Sequence, residues 1–418
     1  MTPTKQVVPV SFQNLGIAPR LLAVLESNRY VTPTPIQHQA IPIAIVGKDV
    51  MGIAQTGTGK TLAFGVPMIQ RLAHHKGQGL VILPTRELAL QVEETLQKIG
   101  RSFGLKTAVL IGGASMQHQL RSLRQHPHII IATPGRLVDH LEQKTVSLTQ
   151  VSIVVLDEAD RMFDIGFAPQ IKRILALVPK ERQTMLFSAT MPHAIVKMAE
   201  QHMRMPLRIE VAPAGTVAAN VAQEVFIVSK EMKMQLLDKL LTDNPGTVLV
   251  FSRTKHGAKR IAAQVRSMNH AGVEMHSDRS LAQRCAALDG FKSGKFRVLV
   301  ATDIAARGID VTGISLVVNF DLPDNPEDYV HRIGRTGRAG LLGRAVSFAT
   351  PDQRGDIRMI ERIIRKILPI VALPVLPPRR AAAPHTTSFE YADRPFRRGG
   401  YRGGGGQAKP RGSFRRQR

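Results

Sequence analysis

Two short segments hold residue types at spacings that can do chemistry. Residues 54–61 read Ala-Gln-Thr-Gly-Thr-Gly-Lys-Thr. Glycines at 57 and 59 let backbone N–H groups turn inward around phosphate oxygens, and a helix starting directly behind them adds its positive dipole end. In such a loop Gln55, Thr56, Gly57, Thr58 and Gly59 line the phosphates. Lys60 reaches the β- and γ-phosphates, and the Thr61 hydroxyl ligates Mg²⁺. Residue 54 is alanine where the usual pattern has glycine, but the Gly-Lys-Thr core is intact. The second segment is Asp157-Glu158-Ala159-Asp160, directly after the apolar run Ile153–Leu156. An acidic cluster on its own is a solvated loop. Behind a buried strand and downstream of a phosphate loop, its carboxylates point into the same crevice. Asp157 is then placed to hold Mg²⁺ through water, and Glu158 to orient and deprotonate an attacking water.

These segments need a scaffold that brings strand ends together. Apolar runs at Val50–Ile53, Leu80–Leu83, Ile129–Ala132, Ile153–Leu156 and Thr184–Phe187 alternate with helical patterns, such as Leu88, Val92, Leu96 and Ile99. Continuous rather than alternating apolar strands are what a parallel sheet covered on both faces requires. The pattern stops near Pro213–Thr216 and restarts with Val248–Phe251, Val298–Ala301, Leu316–Asn319 and Ala345–Phe348. The reading is α/β: a doubly wound domain over 1–212, a linker over 213–221 and a second domain over 222–368. From 369 to 418 prolines give way to an Arg/Gly-rich basic tail with too few aliphatics for a core, expected to be disordered. Phe396, Tyr401 and Phe414 among its arginines suit single-stranded nucleic acid, by stacking on bases beside cations that bind phosphate.

Charge points the same way. The 418 residues carry 57 Lys and Arg against 32 Asp and Glu, a net +25, which favours a polyanionic partner. One cysteine, Cys285, excludes an internal disulfide framework or a multi-cysteine zinc site. No stretch reads as a membrane span or a signal peptide, so a cytoplasmic protein is expected. The histidines at 74, 75, 126 and 128 lack companion ligands and read as loop residues.

With these blocks in place the chain resembles the DEAD-box RNA helicases of superfamily 2, from Phe12 to about Phe348. The tetrad Asp157–Asp160 is the motif that names that family. The resemblance implies two tandem RecA-like domains. Thr32–Gln37, with Phe12 upstream, is similar to the family's adenine-recognition motif. Gln37 would read the adenine edge with one donor and one acceptor, Tyr30 would stack on the ring, and the nucleotide would be ATP. Pro84, Thr85 and Arg86, then Gly113, then Thr133, Pro134, Gly135 and Arg136, fall in blocks resembling the first domain's RNA-backbone contacts. Arg253 and Thr302 resemble those of the second domain, and Asp310 would face the ribose. Ser188–Thr190 resembles the element coupling hydrolysis to unwinding, by hydrogen bonds to Asp160 and His331. Family analogy makes Arg335 and Arg338 fingers on the γ-phosphate, so that hydrolysis would need the two domains to close.

The match departs from the family after His276: Ser277 replaces a glycine and Leu281 a glutamine, while Arg284 is kept. An altered RNA grip is the expectation there. The resemblance implies a monomeric motor that couples ATP binding and hydrolysis to local RNA unwinding and ribonucleoprotein remodelling, with largely sequence-independent contacts. An ATP-gated RNA clamp or scaffold shares the same motifs and stays open as the alternative. Gln37 and the tetrad argue against a DNA translocase, and the Arg335/Arg338 block against a transport ATPase. The short layout and Arg/Gly ending most resemble the bacterial RhlE-like subgroup, associated with ribosome assembly and RNA degradation.

Overall fold

The computed structural model describes residues 11–55, 57–211, 221–306, 311, 313–337 and 342–378. The first sheet contains β1 (Val50–Ile53), β2 (Gln78–Ile82), β3 (Thr107–Leu110), β4 (Ile129–Ala132), β5 (Val151–Leu156), β6 (Gln183–Ser188) and β7 (Leu207–Glu210). The second contains β8 (Val221–Ile227), β9 (Val248–Phe251), β10 (Gly272–Met275), β11 (Val298–Ala301), β12 (Leu316–Asn319), β13 (Gly343–Ala349) and β14 (Ile370–Val371). All pairings between these strands are parallel.

The strand orders are β3-β4-β2-β5-β6-β1-β7 and β10-β11-β9-β12-β13-β8-β14. Each strand of the second sheet takes the place held in the first by the strand seven earlier, so one layout is used twice. Neighbouring side chains on a strand enter different cores. Val81 joins one cluster of the first domain while Leu80 and Ile82 join the other. Leu249 and its neighbours Val248 and Val250 do the same in the second. Burial on both faces is why these strands read as unbroken apolar runs. The expected α/β architecture of two tandem RecA-like domains is therefore met.

The expected bounds shift. The second sheet begins at Val221, one residue before 222. Residues assigned to the tail at 369 and beyond add a strand: Ile370 and Val371 pair with Val225 and Phe226. Pro369 O accepts from Val225 N at 2.9 Å, and Pro377 O from Gln235 Nε2 at 2.8 Å. Proline removes a donor but keeps its carbonyl, so it can serve an edge strand. Residues 212–220, which include all of the expected linker 213–221 but Val221, and the basic stretch 379–418 lie outside the described residues. No helix among the described residues is long and apolar enough to cross a membrane.

Candidate active site and nucleic-acid face

The phosphate loop follows β1 and ends in the helix Lys60–His74. Gly57 and Gly59 have φ of 84° and 85°, the left-handed region that glycine enters without steric cost. At Gly59 a Cβ would also meet the Gln37 amide, whose Nε2 donates to Gly59 O at 3.0 Å. Gln37 Oε1 accepts from Thr34 N at 2.9 Å at the start of the helix Pro35–Ile45. The amide assigned to adenine thus ties its own segment to the phosphate loop. Each bond uses one of two available sites, which leaves one N–H and one lone pair for a base edge. Tyr30 is half-buried, with the Lys98 ammonium 5.6 Å from its ring centroid. Thr58 Oγ1 donates to Gln55 O at 2.7 Å, bracing the loop. Thr61 is half-buried in the first helical turn. Thr56 lies outside the described residues.

The tetrad continues β5. Asp157 accepts from Glu158 N at 2.9 Å and lies 3.8 Å from Lys60 Nζ, which also donates to Ala54 O at 3.1 Å. Burial pushes the Asp157 carboxyl up to about 6, against the opposing pull of Lys60. Glu158 is buried at the head of the helix Ala159–Asp164 with φ 52°, an unusual conformation for a non-glycine residue.

Asp160 is a hub. Its Oδ2 accepts from Ala189 N, Thr190 N and Thr190 Oγ1 at 3.1, 2.9 and 3.0 Å. Its Oδ1 accepts from Arg161 N at 2.9 Å, and its own N–H donates to Ser188 Oγ at 3.0 Å. His331 Nε2 of the second domain lies 3.9 Å from Oδ2. Burial opposes ionisation of Asp160, but His331, Lys60 and the backbone N–H groups outweigh it and hold the carboxyl below its ordinary range. The residues expected to couple hydrolysis to unwinding are therefore brought together.

Lys60, Glu158, Asp160, Arg161, Ala189, His331 and Arg335 line one cavity of about 10 Å³, so both sheets contribute to it. Arg335 is buried there, its Nε donating to His331 O at 3.3 Å. Arg338 and Asp310 lie outside the described residues.

The residues assigned to RNA sit at strand ends. Thr85, which follows Pro84, caps the helix Arg86–Gly100, its Oγ1 accepting from Leu88 N at 3.3 Å. The Arg86 guanidinium lies over Gly112 and Gly113; a Cβ on Gly113 would collide with it. Thr133 precedes the helix Pro134–Glu142, and Arg136 Nε lies 3.3 Å from Asp139. Nothing comes within 4 Å of a Cβ built on Gly135, so the chain leaves open space there. In the second domain Arg253 Nε pairs with Asp324 at 3.0 Å, and Thr302 N donates to Met275 O at 3.3 Å.

Several contacts that assemble the site are not read from the sequence, some of them made by residues it does single out, Leu281 and Arg284. Arg332 is 1 % exposed. Its Nε and Nη2 grip Asp303 at 2.6 and 2.7 Å, and Nη1 donates to Asn319 Oδ1 and Asp321 O at 3.2 and 2.6 Å. It thereby ties the Arg335 block to the segments after β11 and β12. Across the domains, Arg161 Nη2 donates to Ile304 O at 2.7 Å, and Arg284 Nη2 meets Glu87 Oε1 at 2.8 Å. Leu281 packs against the first domain's core. Leu281 and Arg284 are named from the sequence but their cross-domain contacts are not, and only spacing to known blocks could have flagged Arg161 and Arg332, since a lone arginine carries no such signal. Cys285 is half-buried on the helix Leu281–Lys292, where burial and Glu87 push its thiol up. His128 Nδ1 accepts from Lys106 N at 3.0 Å, a structural use.

The second domain repeats one detail of the nucleotide crevice. Lys233 begins the helix after β8, as Lys60 begins the helix after β1. Its Nζ donates to Phe320 O at 2.7 Å and Asp321 Oδ1 at 3.2 Å, at the end of β12. The segment before it, Ser229–Met232, contains no glycine.

Two RecA-like domains, with a phosphate loop in the first and a buried arginine reaching it from the second, define a nucleotide-driven helicase core. The sequence profile described as DEAD/DEAH box helicase matches residues 34–198, and that of the helicase conserved C-terminal domain matches residues 232–340. The chain belongs to the DEAD-box RNA helicase family. It is 44% identical over 369 residues to the DEAD-box ATP-dependent RNA helicase CshA of Bacillus cereus, covering 88% of this chain and 70% of that one. Identity to the Bacillus subtilis CshA is 42% over 370 residues, covering 88% and 75%. The S. cerevisiae Dbp5 structure bound to RNA and ADP BeF3 superposes with a TM-score of 0.79 at 30% identity, covering 86% of this chain and 95% of that chain.

Proposed function

We propose that this protein is an RNA-dependent ATPase that couples ATP binding and hydrolysis to local RNA duplex unwinding. The observation that carries the reading is the shared cavity: Lys60, Glu158 and Asp160 from one domain meet His331 and Arg335 from the other. Lys60 and Arg335 supply positive charge where negative charge grows on the γ-phosphoryl oxygens, and such arginines are worth ~10³–10⁵ in rate. Glu158 orients the attacking water and takes its proton. Gln37 reads the adenine edge with its remaining N–H and lone pair.

A buried carboxylate with a raised pKa at Asp157, together with the Thr61 hydroxyl, is an all-oxygen donor set that suits Mg²⁺. Asp157 and Thr61 would hold the ion, which would supply charge neutralisation beside the phosphates. RNA lies along Thr85, Arg86, Gly113, Thr133, Gly135 and Arg136, and along Arg253 and Thr302. Hydroxyls, backbone amides and guanidiniums recognise phosphate and sugar without reading sequence. The open space over Gly135 supports this, because glycine in a helical turn is costly unless something must approach closely. Similarity to relatives named as ATP-dependent RNA helicases, and to a structure holding RNA and a nucleotide analogue, supports the substrate pair.

The test is steady-state ATPase and short-duplex displacement with and without RNA. RNA should stimulate turnover, and Arg335→Ala should abolish the stimulated rate. ATP turnover that ignores both RNA and Arg335 would overturn the reading. ATPase stimulation without displacement would favour the clamp.

A further inference from the structure

The last helix, Arg354–Ile364, buries Ile357, Ile360 and Ile364 in the second domain's core beside Tyr329 and Ile333. Its other side is cationic. Arg354, Arg358, Arg362, Arg365 and Lys366 are all exposed. Residues four apart share a helix face, so Arg354, Arg358 and Arg362 form one stripe, which Arg365 and Lys366 extend past the helix end. From Arg354 to Arg365 the stripe spans about 16 Å at ~1.5 Å per residue. The helix's own two carboxylates offset only part of the five positive charges, and neither pairs with the stripe. Asp356 Oδ2 accepts from Gln353 Nε2 at 3.2 Å, and Glu361 Oε1 accepts from Leu368 N at 2.9 Å. Among the described residues none of the five cations has an ion-pair partner.

The helix dipole explains only part of this pattern. Cations in a last helical turn complement the helix dipole, which explains Arg362, Arg365 and Lys366. Arg354 opens the helix, where the dipole is positive and a cation is disfavoured, and like charges four apart repel. Local stability therefore does not account for Arg354 and Arg358. The helix also packs on Glu327–Ile333, the helix that carries His331 to the cleft. Packed helices lie about 8–10 Å apart, so the stripe stands one helix away from the ATP-site elements.

We propose that this arginine face is an auxiliary RNA-backbone surface, separate from the motif blocks, that holds RNA flanking the segment in the cleft. Charge complementarity selects the partner: evenly spaced guanidiniums that pair with no carboxylate among the described residues match a polyphosphate strand, and these side chains carry no acceptor to read bases. The proposal rests on the RNA-helicase reading above. It adds a surface whose loss weakens RNA capture without touching hydrolysis.

The experiment uses the full chain, with Arg354, Arg358 and Arg362 all replaced by Gln or all by Lys. Binding of a fluorescent duplex with a single-stranded overhang is followed by polarisation from about 50 to about 200 mM salt, where log K falls linearly with log salt. Each lost phosphate contact lowers that slope by roughly 0.7–0.9. The Gln variant should therefore lose roughly 2–3 units of slope and on the order of a hundredfold in affinity at about 0.1 M salt, while RNA-saturated kcat stays at the parent value. The Lys variant should keep most of the slope. Parent-like affinity and slope in the Gln variant overturn the proposal, as does an equal loss in the Lys variant. If the Gln variant fails to fold, Arg358→Glu alone serves; it should weaken binding, and unchanged binding refutes the surface. A parent that binds no RNA would instead sink the helicase reading itself.

Discussion

Replacing Asp160 by Asn tests the hub that joins the tetrad to Ser188–Thr190. The carboxylate accepts four hydrogen bonds, three of them on Oδ2. With the amide nitrogen placed at Oδ1, Arg161 N loses its acceptor, and an unsatisfied buried N–H costs about 1–3 kcal/mol. The other three bonds drop from charge-assisted to neutral, a loss of roughly 1 kcal/mol each. Against this, the variant is spared the burial of an ion, which offsets part of the loss. The net expectation is a loss of about 2–4 kcal/mol, which in a domain of this size lowers Tm by roughly 4–16 °C. The pH dependence has a definite sign. Because the folded carboxyl is held below its ordinary range, its contribution is full above the unfolded value and is lost as pH falls through the depressed folded one. The Asp160→Asn variant has no such acid-side loss, so the gap between variant and parent should narrow as pH falls. Thermal unfolding at several pH values measures the stability effect. Duplex displaced per ATP hydrolysed measures the coupling and should drop. A variant with parent-like Tm and parent-like displacement per ATP would refute the hub argument.

Three further outcomes are expected. Glu158→Gln keeps the crevice shape but removes the base, so ATP turnover should fall by ~10²–10⁴ while ATP-dependent RNA binding persists; unchanged turnover removes Glu158 from its role. Leu281→Gln exchanges an apolar contact with the first domain's core for an amide and should change the RNA concentration that half-saturates ATPase; an identical RNA titration would show that this departure is inconsequential. Burial opposes ionisation of Glu274, but Arg266 and Arg279 grip it and hold its carboxyl low, so its contribution is present above the ordinary carboxylate range and disappears as pH falls through the lowered value. Glu274→Gln should lower Tm at neutral pH and lose that difference in acid, read from paired melting curves.

The central strands are legible in the sequence because burial on both faces leaves unbroken apolar runs such as Ile129–Ala132 and Val298–Ala301. The strands that escape it are mostly at the margins. β3, β7, β10 and β14 end their sheets, and there a polar or charged residue costs little: Arg208 and Glu210 face outward on β7. Glu274 interrupts β10 and becomes readable only once Arg266 and Arg279 are seen to enclose it. β8 alternates exposed and buried residues over part of its length, unlike the unbroken runs of the central strands. The phosphate loop and tetrad are legible because their chemistry is local in sequence. Arg332, Arg161 and the Glu87–Arg284 pair are not, since each depends on partners far along the chain. Arg284 and Glu87, for example, meet only when the helix Leu281–Lys292 is laid against the first domain.

The repeated strand order leaves a lasting asymmetry. In one copy the lysine at the head of the helix stands beside glycines that can wrap a triphosphate. In the other, Lys233 is already committed to Phe320 O and Asp321, and the segment Ser229–Met232 before it contains no glycine. A duplicated architecture thus holds two lysines in equivalent places, one beside a glycine loop and the other spent as a structural tie between a helix head and the end of a strand.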